Sequence, residues 1–274
     1  MNKVTTLDAL VERASAAASV AFGGGGIVRK PMAAAAAIAL ADLRPRRLYA
    51  LLGGPEVDLL VGLAKVSDLT FAYVGLDAVG LAPNFRRARE RGALPVTESS
   101  EYLFLAGLEA SARGVPFLPT RSGLGTDVLT RPNSPYVTFS CPLTGQTLVA
   151  APAIRPDLAV IHVNVADVRG NCVVYGEIFA DALLARAAAS VFVTAESVVE
   201  ALPPLDGRPA GAYIPRLLVD GVIEAPRGAG FTGMYPDYPV DRDAAEAYRD
   251  HATDYDWLAD FAGSLAAPTP AGAL

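Results

Sequence analysis

The stretch "SVAFGGGGIVRKPMAAAAAIALADL", residues 19–43, decides the fold. Four apolar-leaning residues read as a short strand, four glycines follow, and an alanine-rich run after Pro31 reads as a helix. Proline is accepted in a first helical turn because its missing N–H would lack an intrahelical partner anyway. The unit is strand, glycine loop, helix.

The same alternation recurs on both sides of this unit. A helix over "TTLDALVERASAA" precedes it. "RRLYALL" (46–52) predicts a strand, "GGPEVDLLVGLA" a turn and helix, and "LTFAYVG" (69–75) a strand. "NFRRARERG" predicts a helix closing at Gly92, "LPVTE" (94–98) a strand, and "SSEYLFLAGLEASARG" (99–114) a helix. Strands and a helix resume with "DLAVIHV" (157–163), "EIFADALLARAA" (177–188) and "SVFVTAE" (190–196). "IPRLLVDGVIEAP" (214–226) suggests two short strands about Asp220-Gly221. Such alternation predicts an α/β fold with an open, mostly parallel sheet flanked by helices. Residues 115–146, rich in Pro, Gly, Ser and Thr, read as a long loop of functional or interface character. No linker or repeat divides the chain, so one domain is expected over 1–266, with 267–274 a disordered tail.

Composition narrows the classes. The 274 residues are 52% hydrophobic, with 29 acidic against 23 basic side chains and a formal charge of -6. Mean hydropathy is +0.32, which calls for a membrane or for extensive burial. A membrane helix needs about 18 or more unbroken apolar residues. "AAAAAIALA" (33–41) is too short, and "LVAAPAIRPDLAVIHV" (148–163) is broken by Arg155, Asp157 and two prolines. A buried sheet and a sizeable subunit contact are therefore expected, and no membrane. The N-terminal segment lacks the apolar core of a secretion signal. Two cysteines, Cys141 and Cys172, make no disulfide framework, and no CxxC is present for zinc. A reducing cytoplasm is expected. The acidic balance disfavours nucleic acid, and the basic run "RRARERG" (86–92) is interrupted by Glu90, as in a solvated helix face.

Three stretches could carry chemistry. The amides of Gly23, Gly24, Gly25 and Gly26 lie between a strand and a helix start, where backbone N–H groups can hold a phosphate, a carboxylate or a developing oxyanion. The alternative is a permissive tight turn. Arg29 and Lys30 favour an anion, since two cations beside a helix N-terminus need a compensating negative charge. Glu101, in "VTESSEYLFLAGL" (96–108), follows a Ser99 cap in a first helical turn. It is either a dipole-complementing acid or a base, and Glu98 is its rival. His162 ends an apolar run, as a satisfied core residue or as a site residue at a strand end. His251 lies in a polar segment expected at the surface. Carboxylates and histidines do not converge at metal spacing, so no metal is expected.

Six segments then fall in a familiar order: "FGGGG…RKP", "LLGGPE" (51–56), "GVPFLPTRSGLGTD" (114–127), "AAPAIRPDLAVIHVNVADVRGN" (150–171), "VTAESVV" (193–199) and "VDGVIEAPRGA" (219–229). Over residues 5 to 250 the chain resembles the A subunit of class I CoA-transferases of the glutaconate type. That resemblance implies an open α/β fold, acyl-CoA thioester substrates and a homologous B subunit, with a heterotetramer expected. Coenzyme A would enter as part of the substrate, with no permanently bound cofactor. In two-chain members the nucleophilic glutamate lies on the B subunit in an S-E-N-G-like motif, which is absent here. A narrower resemblance, in "RKPM", "GGPEVDLL" and "SSEYLFLAGLEASARGVPFLPTRSGLGTDV", points to the A subunit of a steroid-degradation branch that hydrolyses a carbon ring by retro-Claisen cleavage. It implies Glu101 as catalytic base, with Arg121 and Arg29 as candidates for charged parts of the substrate. A non-catalytic scaffold subunit is the third possibility.

Overall fold

The computed structural model describes residues 1–203 and 210–266, so the expected tail at 267–274 lies outside the described residues. In chain order the elements are α1 (Leu7–Ala16), β1 (Ser19–Phe22), α2 (Met32–Leu40), β2 (Arg46–Gly53), α3 (Pro55–Gly62), β3 (Val66–Val74), α4 (Pro83–Glu90), β4 (Val96–Glu98) and α5 (Glu101–Ala112). They continue with β5 (Phe117–Thr120), β6 (Val137–Ser140), β7 (Thr147–Pro152), β8 (Leu158–Asp167), β9 (Cys172–Tyr175), α6 (Asp181–Ala187), β10 (Val191–Val199), β11 (Ala210–Ile214), β12 (Gly221–Glu224), α7 (Arg242–His251) and α8 (Tyr255–Ala266).

Seven strands run parallel in the order β12-β10-β8-β1-β2-β3-β4. β9 and β11 extend the sheet antiparallel from the far half of β8. The open, mostly parallel α/β sheet expected from the sequence is what forms. Its central strands are covered on both faces, which is why they read as continuous apolar runs rather than alternating ones. On β1, Val20 and Phe22 enter one core with α1, α2, α3 and α8, while Ala21 enters the opposite core with α5 and α6. That double burial accounts for much of the high hydropathy. No helix among the described residues is long and apolar enough to cross a membrane.

Three parts differ from the sequence expectation. Residues 115–146 are not one loop: β5 and β6 flank β7 in a separate antiparallel sheet, packed through Val149, Ala151 and Tyr136 on Leu103 of α5. Its strands are short and largely exposed, so no buried stripe marked them. Around Asp220 only β12 forms, because Arg216–Leu218 coils into a 3-10 turn. The polar segment bearing the exposed His251 folds as α7 and, with α8, covers the first face through Tyr248, Leu258 and Ala262.

α7 is also tied to α3 by a buried polar knot. Asp58 accepts hydrogen bonds from the Phe85 N–H (2.8 Å), the Tyr248 hydroxyl (2.9 Å) and Asn84 Nδ2 (3.0 Å). Burial nevertheless raises its pKa to about 6, with the hydrogen bonds opposing the rise. An unfolded aspartate titrates near 3.9. The group's contribution to stability is therefore full below about pH 4 and lost as pH rises through about 6. The melting temperature of Asp58→Asn relative to the parent should shift in the variant's favour between pH 5 and pH 7.5. A difference that stays constant across that range would contradict the raised pKa.

Candidate active site

The parallel strands all point their C-terminal ends to one edge, where open α/β sheets place their ligand sites. β1 delivers the glycine loop there, β2 delivers Gly53-Gly54, β3 delivers Tyr73 to Asp77, and β4 delivers Glu98 to Glu101.

In the glycine loop the crowding is steric. Gly26 has φ 53°, and a Cβ there would meet the Asp77 carboxylate, while a Cβ on Gly54 would strike the Gly26 carbonyl. The four amides expected to cradle an anion are all engaged inside the chain. The N–H of Gly23 donates to the Val160 carbonyl (2.9 Å), Gly24 to Asp181 Oδ1 (2.9 Å), Gly25 to the Val28 carbonyl (3.0 Å) and Gly26 to the Leu52 carbonyl (3.1 Å). The next N–H, that of Ile27, donates to Asp77 Oδ2 at 2.8 Å. As an amide cradle the loop therefore holds no unpaired donor in this conformation; three of the four acceptors arrive from β2, β8 and α6, which no local pattern could show.

The charge argument about Arg29 and Lys30 meets the same outcome. The compensating negative charge comes from within. Arg29 Nη2 lies 2.8 Å from Asp181 Oδ2, and Lys30 Nζ lies 2.9 Å from Glu56 Oε1; all four side chains are buried. Lys30 also donates to the carbonyls of Leu52 (2.6 Å) and Gly23 (3.3 Å), which uses its three ammonium protons. Burial alone would raise the pKa of Asp181, but Arg29 and the Gly24 N–H outweigh it and hold the carboxyl below the ordinary aspartate range. Arg29, at φ 57°, is kept in the left-handed region by this ion pair and by its own N–H to the Gly233 carbonyl (2.7 Å). Both cations therefore brace the loop and are not free to meet a substrate.

Glu101 presents the opposite case. Ser100, not Ser99, caps α5 by accepting from the Leu103 N–H, so Glu101 is the first helical residue. Ser99 instead receives the Tyr136 hydroxyl at 2.6 Å. Glu98, the rival acid, is clamped by Arg89 (2.8 Å) and Arg131 (3.2 Å). Glu101 is exposed and makes no side-chain hydrogen bond or ion pair among the described residues. The Ser100 and Ser122 hydroxyls share a hydrogen bond of 3.0 Å, which brings exposed Arg121 to the same corner as Glu101.

At the C-terminal ends of β1, β2 and β3 lies a cleft of about 330 Å³, lined by Gly25, Gly26, Leu52, Tyr73, Asp77 and Phe179 among others. The strand spacing puts the β1 and β4 ends roughly 14 Å apart. A larger cavity of about 690 Å³ adjoins the cleft through Val28 and Glu177 and is walled by Tyr175, Tyr235, Pro236, Tyr238 and Val240. Behind that wall stands His162. Its ring nitrogens bond Thr194 Oγ1 and Glu196 Oε1, each at 2.8 Å, and Glu196 also accepts from the Tyr238 hydroxyl. His162 is thus a satisfied core residue that steadies a cavity wall. Among the described residues no group of three His, Cys, Asp or Glu side chains converges as metal ligands would. The sequence reading missed Asp77 and Asp181, because each meets the glycine loop from across the sheet edge with no local motif.

Comparison with known proteins gives this edge a context. The coenzyme A transferase family model matches residues 5–225. The chain is 35% identical over 261 residues to the cholesterol ring-cleaving hydrolase IpdA subunit of Rhodococcus jostii (strain RHA1), covering 92% of this chain and 87% of that one. The crystal structure of glutaconate coenzyme A-transferase from Acidaminococcus fermentans matches with a TM-score of 0.85 at 26% identity, over 96% of this chain and 88% of that one. The decarboxylase AibA/AibB matches with a TM-score of 0.81 at 28% identity, over 95% and 99%. The family match and the near full-length similarity together establish that this chain belongs to the coenzyme A transferase family of enzymes.

Proposed function

We propose that this chain is the A subunit of a two-subunit cytoplasmic enzyme acting on acyl-CoA thioesters. A homologous B subunit completes the site, in a heterotetramer, and coenzyme A enters as part of the substrate, with no permanently bound cofactor. The observation that carries this reading is the open C-terminal edge of the sheet. It exposes a carboxylate and a guanidinium that have no side-chain partner among the described residues, a cleft, and large apolar side chains left in solvent. Tyr102 is 72% exposed, Val137 63% and Leu143 91%, which is the kind of surface a partner subunit covers.

For the chemistry, a hydrolytic reading is favoured by Glu101 itself. A carboxylate free of cations and open to water is suited to take a proton from water. The hydroxide oxygen adds to a ring ketone placed β to the thioester carbonyl, giving a tetrahedral alkoxide. The ring C–C bond breaks, its electron pair forms the thioester enolate, and the enolate carbon takes the proton back from Glu101. The products are a new carboxylate and an opened chain with the thioester intact. Arg121, at the same corner, suits a negatively charged part of the substrate. If instead CoA is transferred, the nucleophilic glutamate belongs to the B subunit, as a covalent mechanism requires. The test is to give the assembled enzyme an acyl-CoA and a free carboxylate, then a cyclic β-keto thioester in 18O-water. Hydrolysis places 18O in the new carboxylate and ignores the acceptor; movement of CoA to the acceptor supports transfer and contradicts the role given to Glu101.

A further inference from the structure

The cavity of about 690 Å³ takes no part in the chemistry given to Glu101, yet its walls are built. We infer that it binds an uncharged, apolar end of the acyl group, remote from the reacting bond. This inference rests on the acyl-CoA reading and not on the choice between hydrolysis and transfer. Size and lining support it first. Small-molecule sites occupy roughly 300–1,000 Å³ and are lined mainly by apolar and aromatic side chains with a few polar groups. Here Val28, Tyr175, Tyr235, Pro236, Tyr238 and Val240 supply such walls. The charged residues on the lining are Arg29 and Glu177. Arg29 is committed to Asp181 and offers no cation to a carboxylate. Glu177 is exposed and stands where the cavity meets the smaller cleft. An anionic tail would meet like charge there, so the end that enters is neutral.

The way the walls are held supports it next. Buried Asn164 accepts from the Tyr175 N–H (2.8 Å) and donates to the Tyr235 carbonyl (3.0 Å) and to Asp237 Oδ2 (2.8 Å). One buried amide thus ties the β9 wall to the 233–240 wall. The Tyr238 hydroxyl is held by Glu196, which His162 and the Arg227 N–H hold in turn. The Arg227 guanidinium lies 4.4 Å over the Tyr238 ring. Gly233 is tied to the glycine loop in both directions, its N–H donating to the Ile27 carbonyl (3.0 Å) and its carbonyl accepting from the Arg29 N–H (2.7 Å). At Gly176 a Cβ would meet the Tyr235 ring at 2.6 Å, so the glycine gives that ring its place. Protein interiors otherwise close to near-crystalline density. A space of this size, with walls pinned by a buried amide and a buried histidine, is preorganised, which lowers the cost of ordering it around a ligand. Position fixes which part of the substrate enters. The two cavities share Val28 and Glu177, and the smaller one runs on to Leu52 and Tyr73 at the ends of β2 and β3. Glu101 and Arg121 line neither, so only a part of the acyl group away from the reacting bond can fill the larger one.

The experiment uses the assembled two-subunit enzyme, with a free carboxylate present so that hydrolysis and transfer are both read. Three CoA thioesters share one cyclic β-keto head. The first has no extension, the second carries an uncharged decalin-sized ring system, and the third carries the same rings ending in a carboxylate. The parent is expected to favour the second over each of the others by at least about tenfold in kcat/KM, since even one methylene in an apolar pocket is worth roughly 10–200-fold. Val240→Trp, which fills the cavity, is expected to erase that preference and to leave the unextended thioester within about twofold of the parent. Tyr235→Ala, which removes a wall at an exposed position, is expected to reduce it. No preference in the parent, or one that both variants keep, overturns the inference. Equal use of the neutral and carboxylate-ended rings overturns the uncharged character of the site. If the parent turns over none of the three, the acyl-CoA reading is overturned, and fluorescence of a bound uncharged naphthyl amide then reads the cavity alone. Binding by the parent that Val240→Trp abolishes keeps it as an apolar ligand site, and no binding overturns that too. Should Val240→Trp fail to assemble while Tyr235→Ala assembles and keeps the parent's preference, the cavity belongs to the subunit contact and the inference is overturned.

Discussion

Turnover of a cyclic β-keto thioester by the assembled enzyme falls roughly 10²–10⁴-fold when Glu101 is replaced by Gln, the usual span for loss of a general base. Folding is expected to stay intact. Glu101 is exposed and has no side-chain partner among the described residues, so the substitution removes only its favourable placement at the α5 N-terminus. That placement is worth about 0.3–1 kcal/mol. The two roles therefore separate cleanly: a helix-start acid costs a little stability and no activity, while a base costs activity and little stability. Glu98→Gln supplies the contrast. Glu98 is ion-paired to Arg89 and Arg131, so its loss should loosen the packing of β4 against the 115–146 segment and leave the chemistry largely intact. Steady-state kinetics and a thermal melt on both variants decide the matter; near-parental turnover for Glu101→Gln returns the residue to its structural role.

Lys30→Met is expected to be the most destabilising single substitution considered, by about 3–5 kcal/mol. Removing one partner of a buried ion pair leaves the other charge stranded. Here Glu56, only 1% exposed, would keep a hydrogen bond from the Gly54 N–H, the Leu52 carbonyl would keep the Gly26 N–H, and the Gly23 carbonyl would lose the Lys30 ammonium as donor. These groups fix how α2 leaves the glycine loop and how α3 leaves β2, so two strand–helix junctions would loosen together. Urea titration of the folded complex measures the effect. The double variant Lys30→Met with Glu56→Gln removes both charges and should recover part of the loss, since the stranded carboxylate is gone. A single-variant loss below about 1 kcal/mol would show that the loop is held by something else.

Much of the architecture was legible because the central strands are buried on both faces. Continuous apolar runs such as "DLAVIHV" and breaks such as the Gly23–Gly26 loop are local signals, and they mark β8, β1 and the junctions at the sheet edge. Elements with only one buried side, or almost none, gave no such signal. β5 and β6 expose most of their residues, and α7 buries only Ala245 and Tyr248, so both looked like polar connecting chain. The site divides along the same line. Glu101 was visible because a cap and a first turn are short-range features, although the cap proved to be one residue later. The engagement of Arg29 by Asp181, 152 residues away, and of the Gly24 amide by the same carboxylate, depends on how α6 docks beside β1. A cation next to a glycine loop looks the same in sequence whether its counter-ion is a substrate or a buried aspartate.

The central claim is that this sheet edge is half of an active cleft and that a partner subunit supplies the rest. The direct measurement is turnover of one acyl-CoA thioester by three preparations at equal concentration: the purified chain alone, the partner recovered with the tagged chain from its own organism, and the complex of the two. Turnover by the complex only, with both isolated chains silent, is the result expected. A stable monomer of this chain that processes the thioester by itself at the rate of the complex would contradict the account.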